Sequence, residues 1–417
     1  MSFNSLEFLL FFLIVVGTFF FVPQRARWAF LLGASCYFYG VWNWLVLIQL
    51  VAVIGLTYWF GVRIEDTADA VKKRKLATTS IVLLVLNLFA FKYTAFANES
   101  FRSLFSWVGA PYPIPVVRLI LPIGISFYTF QLIGYIVDVY KVGKAERHLG
   151  VFALFTLFFP KLVAGPIERS KGLLPQLHAE QSFDRARVVA GLRLMLWGAF
   201  QKIVVADRLA PFVNAVYAKP RDQEGVVLVF ATWVFAFQIY CDFAGYSDIA
   251  VGAAQTLGFK LTRNFNRPYF AISVQDFWKR WHISLSSWLT DYVYTPLSRT
   301  KVKMKWHTWM QVALFITFVV SGFWHGAAWT FVLWGALHGS YLVAAMQSQK
   351  TWTKIHKKTG ILKRQKLHNT LKICATFSLV CFAYIFFRAE SVADAFYIVG
   401  HLHSGWLHPF APLKQAT

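Results

Sequence analysis

The chain has 417 residues, of which 57% are hydrophobic, 18% aromatic and only 15% charged, more apolar surface than a soluble core can hold. Its formal net charge is +23, from 42 Lys and Arg against 19 Asp and Glu. The basic residues sit beside apolar runs rather than along one polar face, which argues against a nucleic-acid partner and makes lipid the natural solvent.

A membrane-crossing helix needs roughly 20 apolar residues. Runs with few or no charges extend from Phe8 to Val22, Trp28 to Val62, Leu76 to Phe91, Leu119 to Val137, Leu149 to Pro160, Gly225 to Cys241, Trp306 to Gln349 and Ile373 to Phe387. The first follows Glu7, lacks a basic n-region and has no small-residue cleavage site after it, so it reads as a retained span rather than a leader. The aromatic centre Tyr39–Trp44 reads as an interfacial turn between two short spans.

Pro111, Pro113, Pro115 and Pro122 forbid a continuous helix before the span Leu119 to Val137, whose end Asp138 marks. Around Phe159 to Arg169, Pro160, Gly165 and Pro166 break an apolar run beside charges, and broken backbone at membrane depth is tolerated only against protein or a water-filled cavity. Asp242 and Asp248 stand well inside the apolar stretch Gly225 to Phe259, where such charges face a bundle interior.

The basic segments Lys72 to Lys75 and Lys350 to Lys372 are expected to be cytoplasmic by the positive-inside rule. Cys36, Cys241, Cys374 and Cys381 lie scattered in apolar segments, without zinc-ligand or disulfide spacing, and read as small buried hydrophobes. The fold class that follows is all-α: a polytopic transmembrane helical bundle of roughly nine to eleven spans with interfacial or amphipathic helices, kept as a single domain over residues 1–417.

Chemistry concentrates in two places. From Lys260 to Lys305 the chain is weakly hydrophobic and dense in Arg, Lys, Asp, Trp and Ser. Phe277, Trp281, Leu285, Trp288 and Tyr292 there fall on one helical stripe, with Lys279, His282, Ser286 and Thr290 beside it, so an amphipathic helix is expected, supported by the i,i+4 pair Asp276 and Arg280. Taken alone, His282 reads as a surface or network histidine.

The second place is Trp306 to Gln349, 44 residues free of Asp, Glu, Lys and Arg, with His325 near its midpoint between Gly322 and Gly326. As one helix it would reach on the order of 66 Å, twice the hydrocarbon thickness, so two spans or a break at the glycines is expected. The glycines leave room for a substrate or a second helix to approach His325. A neutral imidazole in dry surroundings can accept a proton, but a structural or interfacial histidine fits the composition equally well.

Four stretches carry a resemblance: Gln238 to Ser247 with Asp248, Asn264 to Tyr269, Asp276 to Ser286, and Gly322 to Thr330. In content, order and spacing they are similar to the membrane-bound O-acyltransferases of the bacterial alginate O-acetylation type, with weaker echoes at Leu121 to Phe127 and Ala164 to Ile167. The resemblance implies catalytic roles for His325, in its Trp-His-Gly element, and for His282, in its Arg-Trp-His-Ile-Ser element. It further implies a central tunnel, a cytoplasmic thioester donor (acetyl-CoA or an acyl carrier) with no tightly bound cofactor, an extracytoplasmic polysaccharide acceptor, periplasmic partner proteins and a place in the bacterial inner membrane.

Similar proteins continue beyond an element matching Phe387 to Ser391, so further spans are expected to be missing or replaced in a chain ending at Thr417. No metal is expected, because His282 and His325 have no carboxylate or thiolate companions at ligand spacing. Asp242, Asp248 and Asp291 read as orienting partners, and Lys279, Arg280 and Arg267 as a site for coenzyme phosphates, an acidic carrier or anionic lipid. Two other readings compete: a transporter of a polysaccharide precursor without acyl chemistry, and a scaffold in which both histidines only pack.

Overall fold

The computed structural model describes residues 3, 5–115, 119–359 and 363–406, and among them every regular element is helical. Among the described residues, six helices are long and apolar enough to cross a membrane: Trp44–Asp66, Ala70–Lys92, Arg185–Ala218, Gly225–Thr256, Trp306–His325 and Gln365–Arg388. Leu6–Phe19 is a shorter apolar helix. The all-helical, polytopic expectation therefore holds. The chain divides into two compact units, Met1–Ala199 with Gly245–Arg263, and Phe200–Ala244 with Asn264–Thr417.

In the first unit the aromatic turn expected at Tyr39–Trp44 is present. The helix Gln24–Gly40 stops there, and the Asn43 side chain accepts from the N–H groups of Leu45 (2.9 Å) and Val46 (3.3 Å) to start Trp44–Asp66. The span expected at Leu119 to Val137 is displaced. Its helix runs Ile125–Val142, entered through Gly124 at φ 76° and left through Gly143 at φ 78°. Pro122 and the left-handed Gly124 delay its start, and the helix runs past Asp138, whose carboxylate accepts from Ser170 Oγ at 3.2 Å, to the left-handed Gly143.

The broken segment at Phe159–Arg169 packs against protein. Phe158, Phe159 and Leu162 are almost wholly buried, as is Lys161. Its ammonium donates to Gln131 Oε1 and to the Thr156 carbonyl and lies over the Phe155 ring. Burial pulls this lysine down to about 7. Burial raises Glu168, whose carboxylate accepts from the Thr262 N–H and hydroxyl. Helices Arg185–Ala199 and Gly225–Thr256 cross here with backbones in near contact, since a Cβ at Gly252 would stand 2.6 Å from the Gly191 carbonyl.

The second unit holds both histidines singled out from the sequence, around an aromatic core. Phe277, Trp281, Trp334, Tyr384 and Phe386 are buried in it. The 44-residue uncharged run is two helices, Trp306–His325 and the beginning of Trp329–Thr359, as the length argument requires. Of the cysteines, Cys381 is buried but Cys374 is exposed, contrary to expectation.

Candidate active site

His325 is the last residue of its helix. Gly326 follows in an extended conformation (φ −156°, ψ 149°), so the imidazole sits at a true break in the backbone. The flanking glycines admit the second helix. A Cβ at Gly322 would lie 2.2 Å from the Phe331 carbonyl, one at Gly326 would lie 2.0 Å from the Phe331 ring, and one at Gly335 would lie 2.3 Å from the Phe318 carbonyl. These contacts bring the Trp329 helix to the His325 ring. His325 is half-buried, with ring centroids of Trp324 and Trp334 at 5.0 Å and Phe387 at 5.5 Å.

The amphipathic helix expected through residues 277–292 does not form as one piece. Val274–Trp278 and Ile283–Leu289 are separate short helices, and His282 between them is left-handed, at φ 44°. The reason is backbone pairing with a segment far back in the sequence. Ile283 N donates to the Asn264 carbonyl at 2.9 Å, Ser284 N to Asn264 Oδ1 at 3.3 Å, and Asn266 N to the Arg280 carbonyl at 2.9 Å. Phe277, Trp281, Leu285 and Trp288 are all still buried, so the periodicity reported burial correctly but not continuity.

That corner carries His282 inward. Its relative exposure is 0%, so its surface reading is overturned. Its ring lies edge-on to Phe243 at 4.6 Å and 6.3 Å from the His325 ring. Asn264, itself 1% exposed, holds the backbone after the corner at Ile283 and Ser284, and Asn266 holds it before the corner at Arg280. Outside the spanning helices, burial pushes the His282 imidazole down to about 3, so the ring is neutral at physiological pH.

Two cavities are lined by neighbours of the histidines, though neither histidine lines either of them. One, of ≈ 770 Å³, runs from Gln349, Met346 and Lys279 to Trp278, Ile283 and Ser321. Ile283 adjoins His282, and Ser321 stands one helical turn from His325 on the same face. The other, of ≈ 490 Å³, is lined by Gln238, Asp242, Phe331, Phe387, Arg388 and Glu390, among others, and the Phe387 ring on its wall lies 5.5 Å from that of His325. The two share no lining residue.

Residues 148–387 match the family model of MBOAT, the membrane-bound O-acyltransferases, a range holding both histidines and both sets of helices around them. The chain belongs to the membrane-bound O-acyltransferase family. It is 36% identical over 396 residues to the probable alginate O-acetylase AlgI of Azotobacter vinelandii, covering 94% of this chain and 76% of the relative. It is 34% identical over 393 residues to a peptidoglycan O-acetyltransferase of Helicobacter pylori, covering 87% and 71%. Against a teichoic acid D-alanyltransferase of Streptococcus thermophilus it is 31% identical over 280 residues, covering 64% and 68%. The protein is thus a multi-pass membrane O-acyltransferase.

Within this acyltransferase the other residues singled out from sequence separate. Asp242 pairs with Lys202 at 2.5 Å and lines the smaller cavity, while exposed Asp291 lines the larger one. Asp248 belongs to the first unit and not to the unit that holds the histidines. Lys279 lies on the larger cavity's wall; Arg280 is engaged by Asp276 at 2.9 Å, and Arg267 is exposed.

Sequence reasoning missed Trp334 and His338. Trp334, 1% exposed, packs between His325 and His338, 4.9 Å from the latter. His338, 0% exposed, accepts at Nδ1 from the Trp278 indole N–H at 3.3 Å, which leaves its hydrogen on Nε2. Their i,i+4 spacing inside an apolar run was the available signal, but it looks the same as core packing.

Proposed function

We propose that this acyltransferase moves an acetyl group from a cytoplasmic thioester, acetyl-CoA or an acyl carrier, to hydroxyls of an extracytoplasmic polysaccharide of the alginate type, in the bacterial inner membrane. The observation that carries the reading is the pair His282 and His325, whose rings lie 6.3 Å apart at a break in the backbone.

Orientation follows from charge. Lys301, Lys303 and Lys305 precede the His325 helix, and Lys350, Lys354, Lys357 and Lys358 crowd the far end of the next one. By the positive-inside rule those ends are cytoplasmic. The larger cavity, walled by Gln349 and Met346, then faces the donor's compartment, with Lys279 on its wall to attract coenzyme phosphate or an acidic carrier. The helix Gln365–Arg388 starts beside the same basic segment, so Phe387 to Glu390 and the smaller cavity face the acceptor's side.

In this reading His325, at the break, takes the proton of the acceptor hydroxyl as its oxygen attacks the thioester carbonyl. The C–S bond breaks, and the proton passes to the departing sulfur to leave a free thiol. His282, neutral and fixed by the Asn264 corner, is close enough to hand that proton on or to orient its neighbour. The name of the A. vinelandii relative supports alginate as acceptor, whereas the H. pylori relative is named for peptidoglycan.

Mass spectrometry of the surface polysaccharide tests this, using cells with the natural chain, His325→Ala and His282→Ala at equal membrane abundance. Ester groups present with the natural chain and absent with His325→Ala are expected. Unchanged esterification in both variants would support packing roles and overturn the reading.

A further inference from the structure

Two buried hydrogen-bond donors beside His325 have no acceptor among the described residues: Trp334 Nε1–H and the Ser321 hydroxyl, on residues 1% and 0% exposed. A buried donor left unsatisfied costs about 1–3 kcal/mol, and native proteins hold few of them, mostly at sites with a task. Both are placed by the same close helix crossing. Ser321 adjoins Gly322 and Trp334 adjoins Gly335, the two glycines whose backbones touch.

Each also has its own tie to the reaction. Trp334 stands edge-on to the His325 ring at 5.0 Å, and its plane is held from behind by His338, which the Trp278 indole anchors in turn. Ser321 lines the ≈ 770 Å³ cavity at its inner end, one turn before His325 on the same helix face. A serine at such a position usually bonds back to the carbonyl four residues earlier, and Thr317 and Thr370 do this within their own helices. Ser321 does not, so its hydrogen is free to serve a group that enters the cavity.

We propose that Trp334 Nε1–H and Ser321 Oγ–H form the oxyanion-binding site of this acyltransferase, receiving the thioester carbonyl oxygen. The inference rests on the thioester reading above and deepens it. When the acceptor oxygen attacks, the carbonyl π electrons move onto that oxygen. It becomes an alkoxide held by the two donors while His325 carries the acceptor's proton. The carbonyl re-forms, the C–S bond breaks, and the sulfur leaves with the electron pair and takes that proton. Fixed donors in a dry site stabilise the developing charge more than the ground-state carbonyl, so they act on kcat.

The test uses the full chain in proteoliposomes with acetyl-CoA as donor and a hydroxyl-bearing oligosaccharide as acceptor. Trp334→Phe removes the N–H and keeps the ring stack, and Ser321→Ala removes only the hydroxyl. Each is expected to lower kcat roughly 10²-fold or more with the donor KM nearly unchanged. Two inert donors separate this role from packing. A phosphonate analogue, which carries the anionic oxygen of the tetrahedral state, should bind both variants more weakly, whereas an S-ethyl thioether, which lacks it, should bind them as it binds the natural chain. Equal kcat in natural chain and variants overturns the inference, as does equal loss of both analogues. If the natural chain transfers no acetyl from the thioester at all, the thioester reading fails instead.

Discussion

Replacing Gly335 by alanine tests how the site is held together. An added Cβ there would stand 2.3 Å from the Phe318 carbonyl and 3.1 Å from the Gly322 Cα, and one at Gly322 would stand 2.2 Å from the Phe331 carbonyl. Carbon contacts become comfortable near 3.5 Å, so either methyl must push the two helices apart by about 1 Å. His325 ends one of these helices and Trp334 lies on the other, so the whole shift falls between these two rings. A misplacement of about 1 Å costs on the order of 10²-fold in rate.

Gly55→Ala is the control: that glycine lies inside a spanning helix with nothing within 4 Å of a Cβ, and alanine favours a helix over glycine by about 1 kcal/mol. Acetyl transfer at matched membrane abundance should therefore fall about 10²-fold in Gly322→Ala and Gly335→Ala and stay at the natural level in Gly55→Ala. Natural rates in both crossing variants would refute the idea that this contact sets the geometry of His325.

Three further outcomes follow from buried polar groups. Gln131→Leu takes away an acceptor of the buried Lys161 ammonium, which should cost about 1–3 kcal/mol, read as a lower thermal midpoint in detergent. Adding Lys161→Met removes the stranded charge and should restore most of the loss, whereas additive losses would contradict the pairing. His282 has a folded value of about 3 against an ordinary 6.5, so below pH 6.5 the unfolded chain binds the extra proton and stability falls by about 1.4 kcal/mol per pH unit toward pH 3. The acid slope of the thermal midpoint between pH 6.5 and 5 should flatten in His282→Gln, and an unchanged slope would show that the ring is not neutral and buried. Asn264→Ala leaves the Ser284 N–H without its side-chain acceptor at the left-handed corner and should lower transfer at least tenfold with normal membrane insertion, whereas full activity would show that the corner holds itself.

The break at His325 was legible because run length and glycine placement are arithmetic: 44 uncharged residues cannot cross once, and Gly322 and Gly326 mark the weak point. What occupied the space beside those glycines was not legible, because contact with Phe331 and Gly335 is set by helix packing and not by the local sequence. The corner at His282 was hidden for a related reason. A non-glycine residue at positive φ leaves no compositional trace, and the residue that stabilises it, Asn264, lies 18 positions earlier. The apolar stripe through Phe277 and Trp281 was correct about which side chains are buried and silent on whether one helix or two buries them. Lys161 gives the same lesson, since a lysine beside two prolines looks like a loop charge until Gln131 and Thr156 are seen to close around it.

The most direct measurement of the central claim is made in sealed proteoliposomes whose basic loops face inward, loaded with acetyl-CoA and bathed in an oligosaccharide acceptor. Free thiol appearing inside and ester appearing outside should rise together at one rate with the natural chain, and both should vanish with His325→Ala at equal protein load. Ester formation by His325→Ala at the natural rate would contradict the account.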